Sequence, residues 1–204
     1  MLTYMSRAET DKNYHIRHGG KMGDQILIDL CSPTLAGLKT GNLFTVECKD
    51  KKDFYREVGG FNKRLSSKGI RILPVRFYKG RMLVYLYRPA HLKRDFESEE
   101  VCRILREKGY SCDNCERCVA ELFDHIRTDS TFPHEIGLFL GYPVCDVVGF
   151  MKNPEEGVIY TGFWKVYDNM EEALKTFAKY KKCTEVYVNA HKKGKTLEQL
   201  AVAD

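Results

Sequence analysis

Apolar side chains recur at Phe54, Val58, Phe61 and Leu65, the spacing of one helical face. Asp50 stands before this run as a capping side chain and Gly69 after it as a terminator, which predicts a helix to about Ser67. Upstream, Leu43–Cys48 alternates into a strand. Asp24–Leu30 carries apolar residues at 26, 27, 28 and 30, too short for periodicity to separate helix from strand, and Pro33 is read as its stop. Downstream, Ile70–Phe77 and Arg81–Tyr87 are β-rich runs joined by Tyr78-Lys79-Gly80, a hairpin with a glycine turn. Pro74 removes a ladder donor and places the first of these strands at an edge or on a bulge. Pro89 closes the unit.

The second half reads as more helical. Helices are expected from about Ser98 to Lys108, and from about Asn114 to Arg127 with Asp113 as cap. Pro133 suits a first helical turn, Gly141 and Pro143 mark a stop and restart, and a second short helix runs to about Met151. Val158–Tyr167 is read as a strand, Met170–Tyr180 as a helix, Glu185–Val188 as a last strand and Thr196–Val202 as a helical turn. Residues 1–20 are polar and aperiodic, a loose N-terminal arm, and 21–204 is expected to be one domain. The fold class is α+β, with a mixed or antiparallel sheet, a β-hairpin and a central helical block.

Composition narrows the class. A chain of 204 residues with 43% hydrophobic and 30% charged positions can bury its own core. No apolar run approaches the ~18 residues of a membrane span, and Met-Leu-Thr-Tyr-Met-Ser-Arg lacks a secretory pattern, so the expectation is a cytoplasmic protein without a membrane partner. Eight scattered cysteines, several within apolar segments, are expected to be reduced thiols. The net charge of +5 gathers at Lys179, Lys181, Lys182 and at Lys192, Lys193, Lys195, without the interleaved aromatics of a nucleic-acid surface.

Candidate chemistry centres on Phe132–Phe150, two proline-started apolar segments around His134 and Glu135. Adjacent helical side chains diverge by about 100°, so the two are not a dyad; Cys31 and Arg88 are the partners expected for them. At a helix start His134 would be a neutral general base, or both residues would only satisfy free amides. Cys31, close to Lys39, is a nucleophile or a buried structural thiol. Thr34, Gly37 and Lys39 form a turn able to grip an anion, and Arg88 ends a strand where a guanidinium can clamp a carboxylate or phosphate. Trp164, Lys165 and Tyr167 offer an aromatic wall and a cation. Cys112, Cys115 and Cys118 form a CxxCxxC that could hold iron–sulfur or zinc, although a helix there would spread them around its surface.

These motifs resemble a bacterial family known only as a domain of unknown function, found largely in anaerobic Gram-positive bacteria. The resemblance rests on Cys31-Ser-Pro-Thr-Leu-Ala-Gly-Leu-Lys39, Tyr87-Arg88, Phe132-Pro-His-Glu-Ile-Gly-Leu-Phe-Leu-Gly-Tyr-Pro143 with Asp146 and Gly149, and Gly162-Phe-Trp-Lys-Val-Tyr167, over roughly residues 22–200. It implies a shared set of Cys31, Thr34, Lys39, Arg88, His134, Glu135, Tyr142, Trp164 and Tyr167, with a hint of a redox or iron link and no established activity. The CxxCxxC stands outside it.

Three functional expectations follow. The first is an enzyme or binding protein for a small anionic ligand, its pocket built from the Cys31–Lys39 turn, Arg88 and the His134 segment. Cys31, His134 and Glu135 would act there, while Thr34, Lys39, Arg88, Tyr142, Trp164 and Tyr167 would bind. The second is a metal or iron–sulfur redox protein using Cys112, Cys115 and Cys118. The third is a protein-interaction module. No particular cofactor is indicated.

Overall fold

The computed structural model describes residues 22–204, so the expected arm at 1–20 lies outside the described residues. The described chain divides into two compact units, residues 94–179 and residues 22–93 with 180–204. The elements follow in the order α1 (Asp24–Leu35), β1 (Gly41–Glu47), α2 (Lys51–Leu65), β2 (Arg71–Tyr78), β3 (Arg81–Tyr87), α3 (Pro89–Asp95), α4 (Glu99–Glu107), α5 (Cys115–Thr128), α6 (Ile136–Phe139), α7 (Val144–Lys152), β4 (Tyr160–Thr161), β5 (Lys165–Val166), α8 (Met170–Lys192) and α9 (Leu197–Leu200). The class is α+β.

In the 22–93/180–204 unit, β3 pairs antiparallel with β1 on one side and β2 on the other. One sheet face sends Phe44, Val46, Ile72, Met82, Val84 and Leu86 into a core with Ile26, Leu27, Ile28, Cys31 and Leu35 of α1 and Phe54, Val58, Phe61 and Leu65 of α2. The period of two on the strands meets the period of 3.6 on the helices, and both apolar stripes are removed from water together. Asp50 caps α2 by accepting from the Asp53 amide at 2.9 Å, and Gly69 takes φ 69° just past the following 3-10 turn. Lys79 and Gly80 both have positive φ, which turns β2 into β3. Pro74 lies on the edge strand β2, and the register slips between Pro74 and Arg76, so both consequences expected of that proline occur together.

Arg88 locks this unit. Its side chain has no exposed surface, and all five guanidinium donors are used. Nε donates to Thr34 O at 2.6 Å, Nη1 to Lys68 O at 3.1 Å and to Asp204, and Nη2 to Leu35 O at 2.8 Å and Val202 O at 2.7 Å. One charge thus ties the end of α1, the turn after α2 and residues 202–204 to the end of β3.

In the 94–179 unit, α4 and α5 supply Val101, Ile104, Leu105, Val119, Leu122, Phe123 and Ile126 to a second core. Phe139 of α6 joins them, its ring edge-on to Phe96 at 5.1 Å. Beyond α7, the β4–β5 hairpin lays Phe163 and Trp164 on Phe177 of α8, with ring centroids 5.6 and 4.5 Å away. A Cβ on Gly162 would come within 2.2 Å of the Phe177 ring, and one on Gly149 within 2.4 Å of the Tyr167 ring, so these glycines allow the close approach of hairpin and helices.

Several local expectations are corrected. Asp24–Leu30 is helical and continues past Pro33 to Leu35. Side chains take up carbonyls of its last turns there: the Ser32 hydroxyl donates to Ile28 O and Asn42 Nδ2 to Leu30 O at 3.1 Å. Pro89 opens α3 instead of only closing the hairpin. Asn114, not Asp113, caps α5, accepting from the Arg117 amide at 3.0 Å. The strand expected at Val158–Tyr167 is two two-residue strands around a turn. Glu185–Val188 is not a strand: α8 runs on to Lys192, because Tyr187, Val188 and Ala190 pack against the sheet-unit core and that burial outweighs their β propensity.

Two outcomes follow for stability. Arg88→Lys leaves three donors for five acceptors, so urea denaturation should show a loss of about 3 kcal/mol with an unchanged m-value. Arg64 hydrogen-bonds Glu198 and Asp24, and the bond from Arg64 holds the Glu198 carboxyl down at about 2 from an ordinary 4.5. A depressed carboxyl stabilises fully above its unfolded value and loses that contribution as pH falls through the folded one. The urea-midpoint gap between wild type and Glu198→Gln should therefore be constant above about pH 4.5 and close as pH falls toward 2.

Candidate ligand cavity

The polar residues of the Phe132–Phe150 segment face two ways. Residues 133–135 form a turn into α6, which spans only Ile136–Phe139, and Glu135 at its N-cap makes no side-chain cap. The reading of Glu135 as a helix-capping carboxylate is thereby corrected: its buried Oε1 accepts from the Tyr110 hydroxyl at 2.8 Å. The Tyr110 oxygen lies 3.0 Å from His125 Nδ1, and His125 Nδ1 is 3.8 Å from Glu135 Oε1. Burial first, then the charge of Glu135 and the bond to it, push the Tyr110 phenol well above its ordinary range, so it remains a neutral donor. His134 turns the other way, exposed, with its ring edge against Phe150 at 4.8 Å.

His125, His134 and Glu135 line a cavity of about 660 Å³ within the 94–179 unit. Phe132, Tyr142, Phe150, Phe163 and Trp164 supply aromatic wall, while His125, Glu135, His134, Lys108, Asp129 and Lys165 bring polar groups. The wall has its own fastening. Asp146, in the first turn of α7 and buried, accepts from Trp164 Nε1 at 2.7 Å, the Tyr167 amide at 2.7 Å and the Asp168 amide at 3.3 Å. Tyr142 stacks obliquely on Trp164 at 5.0 Å and donates to Phe163 O at 3.3 Å. Tyr167 stands behind the wall, its ring against Gly149 and its hydroxyl on Asn153 O at 3.1 Å. Lys165 donates to Pro154 O at 2.6 Å and to Glu155 at 2.8 Å.

Of the residues expected to form a site, His134, Glu135, Tyr142 and Trp164 line this cavity together. Cys31, Thr34, Lys39 and Arg88 belong to the other unit, and none is among the lining residues. Cys31 is fully buried in the sheet-unit core. Thr34 donates to Asn42 at 2.6 Å, Lys39 is buried, and Arg88 has no donor left for a ligand. The partners expected for Glu135 and His134, Cys31 and Arg88, are replaced by Tyr110, His125 and Phe150. His125 and Tyr110 were missed as a pair, because α5 and the loop after α4 bring them together across 15 positions. The available signal was His125 beside Ile126 at the edge of an apolar helical stripe.

Cys118 donates to Ser111 O at 2.7 Å and Cys102 to Phe96 O at 3.0 Å. Burial pushes Cys112 and Cys118 up to about 12, with a bond from Cys102 adding to the first and the Glu121 charge to the second. Among the described residues no three His, Cys, Asp or Glu side chains are placed to hold a metal ion. No helix among them is long and apolar enough to cross a membrane.

Asp146→Asn turns one acceptor of this carboxylate into a donor facing three N–H groups. The expected cost is about 1–3 kcal/mol, with Trp164 emission shifted to the red as its indole loses its partner. Urea titration followed by fluorescence measures both, since Trp164 is the chain's one tryptophan.

No curated protein and no solved structure matches the chain. A family model described as protein of unknown function (DUF3793) matches residues 27–201. The match runs from within α1 through α9 and takes in every residue of the cavity wall and Arg88 itself, and the chain belongs to that family.

Proposed function

We propose that this protein binds a small, flat, largely apolar organic molecule with one anionic end in the cavity of residues 108–165. The carrying observation is a cavity of about 660 Å³ walled by Phe132, Tyr142, Phe150, Phe163 and Trp164, with ionisable side chains set among them. That size and that mixture suit a ligand of tens of atoms, held by ring contacts and oriented by a handful of charges.

The sign of the ligand's charge follows from which side chains are already engaged. Four carboxylates line the cavity, and three have an undivided donor within the unit: Asp146 from Trp164 and two amides, Glu135 from Tyr110, and Glu155 from Lys165; the exposed Asp129 shares the Thr128 hydroxyl at 3.2 Å with the Asp124 carbonyl. Among the described residues, neither the Lys108 ammonium nor the His134 ring has a hydrogen-bond partner, and both line the cavity. They support a carboxylate or similar anion at that end.

Three naphthalene probes test the reading: 2-naphthoate, 2-naphthylmethanol and 2-naphthylmethylamine, followed by calorimetry and Trp164 quenching. Naphthoate should bind saturably, the alcohol about tenfold more weakly and the amine not measurably, a tenfold step being about 1.4 kcal/mol. Combining Lys108→Ala with His134→Ala should bring naphthoate down to the alcohol's affinity and leave the alcohol unchanged. A folded protein that takes up none of the three overturns the proposal.

A further inference from the structure

The hydrogen bonds around Tyr110 fix which nitrogen of His125 carries its proton. The Tyr110 hydroxyl donates to Glu135 at 2.8 Å, so its single proton is committed to the carboxylate. The same phenol oxygen lies 3.0 Å from His125 Nδ1. With no second proton to give, it can only accept, and Nδ1 must be the protonated nitrogen. In the neutral ring Nε2 then holds a lone pair. Nε2 has no hydrogen-bond partner among the described residues, and His125 lines the cavity.

We infer that His125 is a general base acting on the ligand of this cavity, with Tyr110 and Glu135 as positioning residues that hold its tautomer. The inference rests on the ligand-binding reading above and adds a reaction class: removal of a proton from an acidic C–H or O–H of a flat, conjugated molecule. The ligand's bond to hydrogen breaks, the proton passes to Nε2, and the electron pair stays on the ligand as a delocalised anion. Lys108 and His134 line the same cavity and lower the energy of that anion. The new imidazolium is stabilised through Tyr110 by Glu135, whose Oε1 is 3.8 Å from Nδ1. Asp129 is the other charged group on the shared lining near the end of α5.

Aromatic packing holds the base in place. The His125 ring tilts against the Tyr110 ring at 4.7 Å, and Tyr110 in turn packs on buried Phe139 at 5.5 Å. Rotation of the imidazole would give up both the ring contact and the Nδ1 bond. A group fixed in this way meets its substrate without first being ordered, the usual source of much of a base's effectiveness.

The probe for this chemistry is 5-nitrobenzisoxazole, a flat neutral heteroaromatic that one base opens without a cofactor. Nε2 would take the C3 proton, the C–H pair would become the third bond of a nitrile, and the N–O bond would break to leave 2-cyano-4-nitrophenolate, which is yellow. The protein should turn the probe over with saturation, at a rate that falls toward acid pH as the ring takes up a proton. His125→Gln should lower kcat/KM by about a hundredfold or more. Tyr110→Phe should keep KM, lower kcat by about tenfold and move the pH profile, because the ring loses the acceptor that fixes its tautomer. Trp164 quenching by the probe is measured alongside for each protein.

Probe binding without turnover overturns the base and leaves the binding reading standing. Turnover that is unchanged in folded His125→Gln also overturns it. Should that variant not fold, a wild-type rate that does not fall toward acid does the same. Absence of both binding and turnover in protein that still takes up 2-naphthoate overturns the base alone; where the naphthalene probes also fail to bind, the two readings fall together.

Discussion

A guanidinium buried with no exposed surface must have every donor answered, and the sheet unit is arranged around that demand at Arg88. Leaving such a charge unpaired costs several kcal/mol, comparable to a large part of a domain's net stability. Its five acceptors come from α1, the turn after α2 and residues 202–204, elements that share no strand ladder with each other. The constraint therefore sets positions that hydrophobic burial leaves loose. Apolar packing tolerates sliding and rotation, whereas five directed bonds at one planar group do not.

The other unit applies the same rule with the sign reversed. Asp146 is a buried carboxylate with three N–H donors, and the residues that supply them, Trp164, Tyr167 and Asp168, form the segment that closes the aromatic wall. A structural charge is recognised by complete satisfaction inside the fold. By that criterion Arg88 and Asp146 hold structure. His125 Nε2, the His134 ring and the Lys108 ammonium differ, since no partner among the described residues answers them and all three residues line one cavity. The contrast between answered and unanswered groups is what supports the cavity as the proposed site.

Much of this was legible from local pattern. The helix of Phe54, Val58, Phe61 and Leu65, its Asp50 cap and the glycine hairpin all depend on neighbours within a few positions, and they form where expected. The Phe132–Phe150 segment stands out in the sequence because acidic and imidazole groups seldom occur within apolar runs, and much of it lines the cavity. Its partners were not legible. Tyr110 and Glu135 are 25 positions apart, and nothing in spacing joins them. Arg88 misled for a related reason: an arginine at a strand end looks the same in sequence whether a ligand or five backbone and carboxylate oxygens await it. The second half of α8 misled through propensity, since Val186, Tyr187 and Val188 favour strands until tertiary burial overrides them.

The phenol between Glu135 and His125 changes what the carboxylate can do. A carboxylate bonded directly to an imidazole also fixes its tautomer, but it brings full negative charge into contact with the ring. Here the direct separation is 3.8 Å, too long for a hydrogen bond, and the contact atom is a neutral oxygen. Tyr110 can play this part only while it keeps its proton, and its burial beside Glu135 ensures that. The arrangement passes orientation from the buried carboxylate to the imidazole through a neutral oxygen.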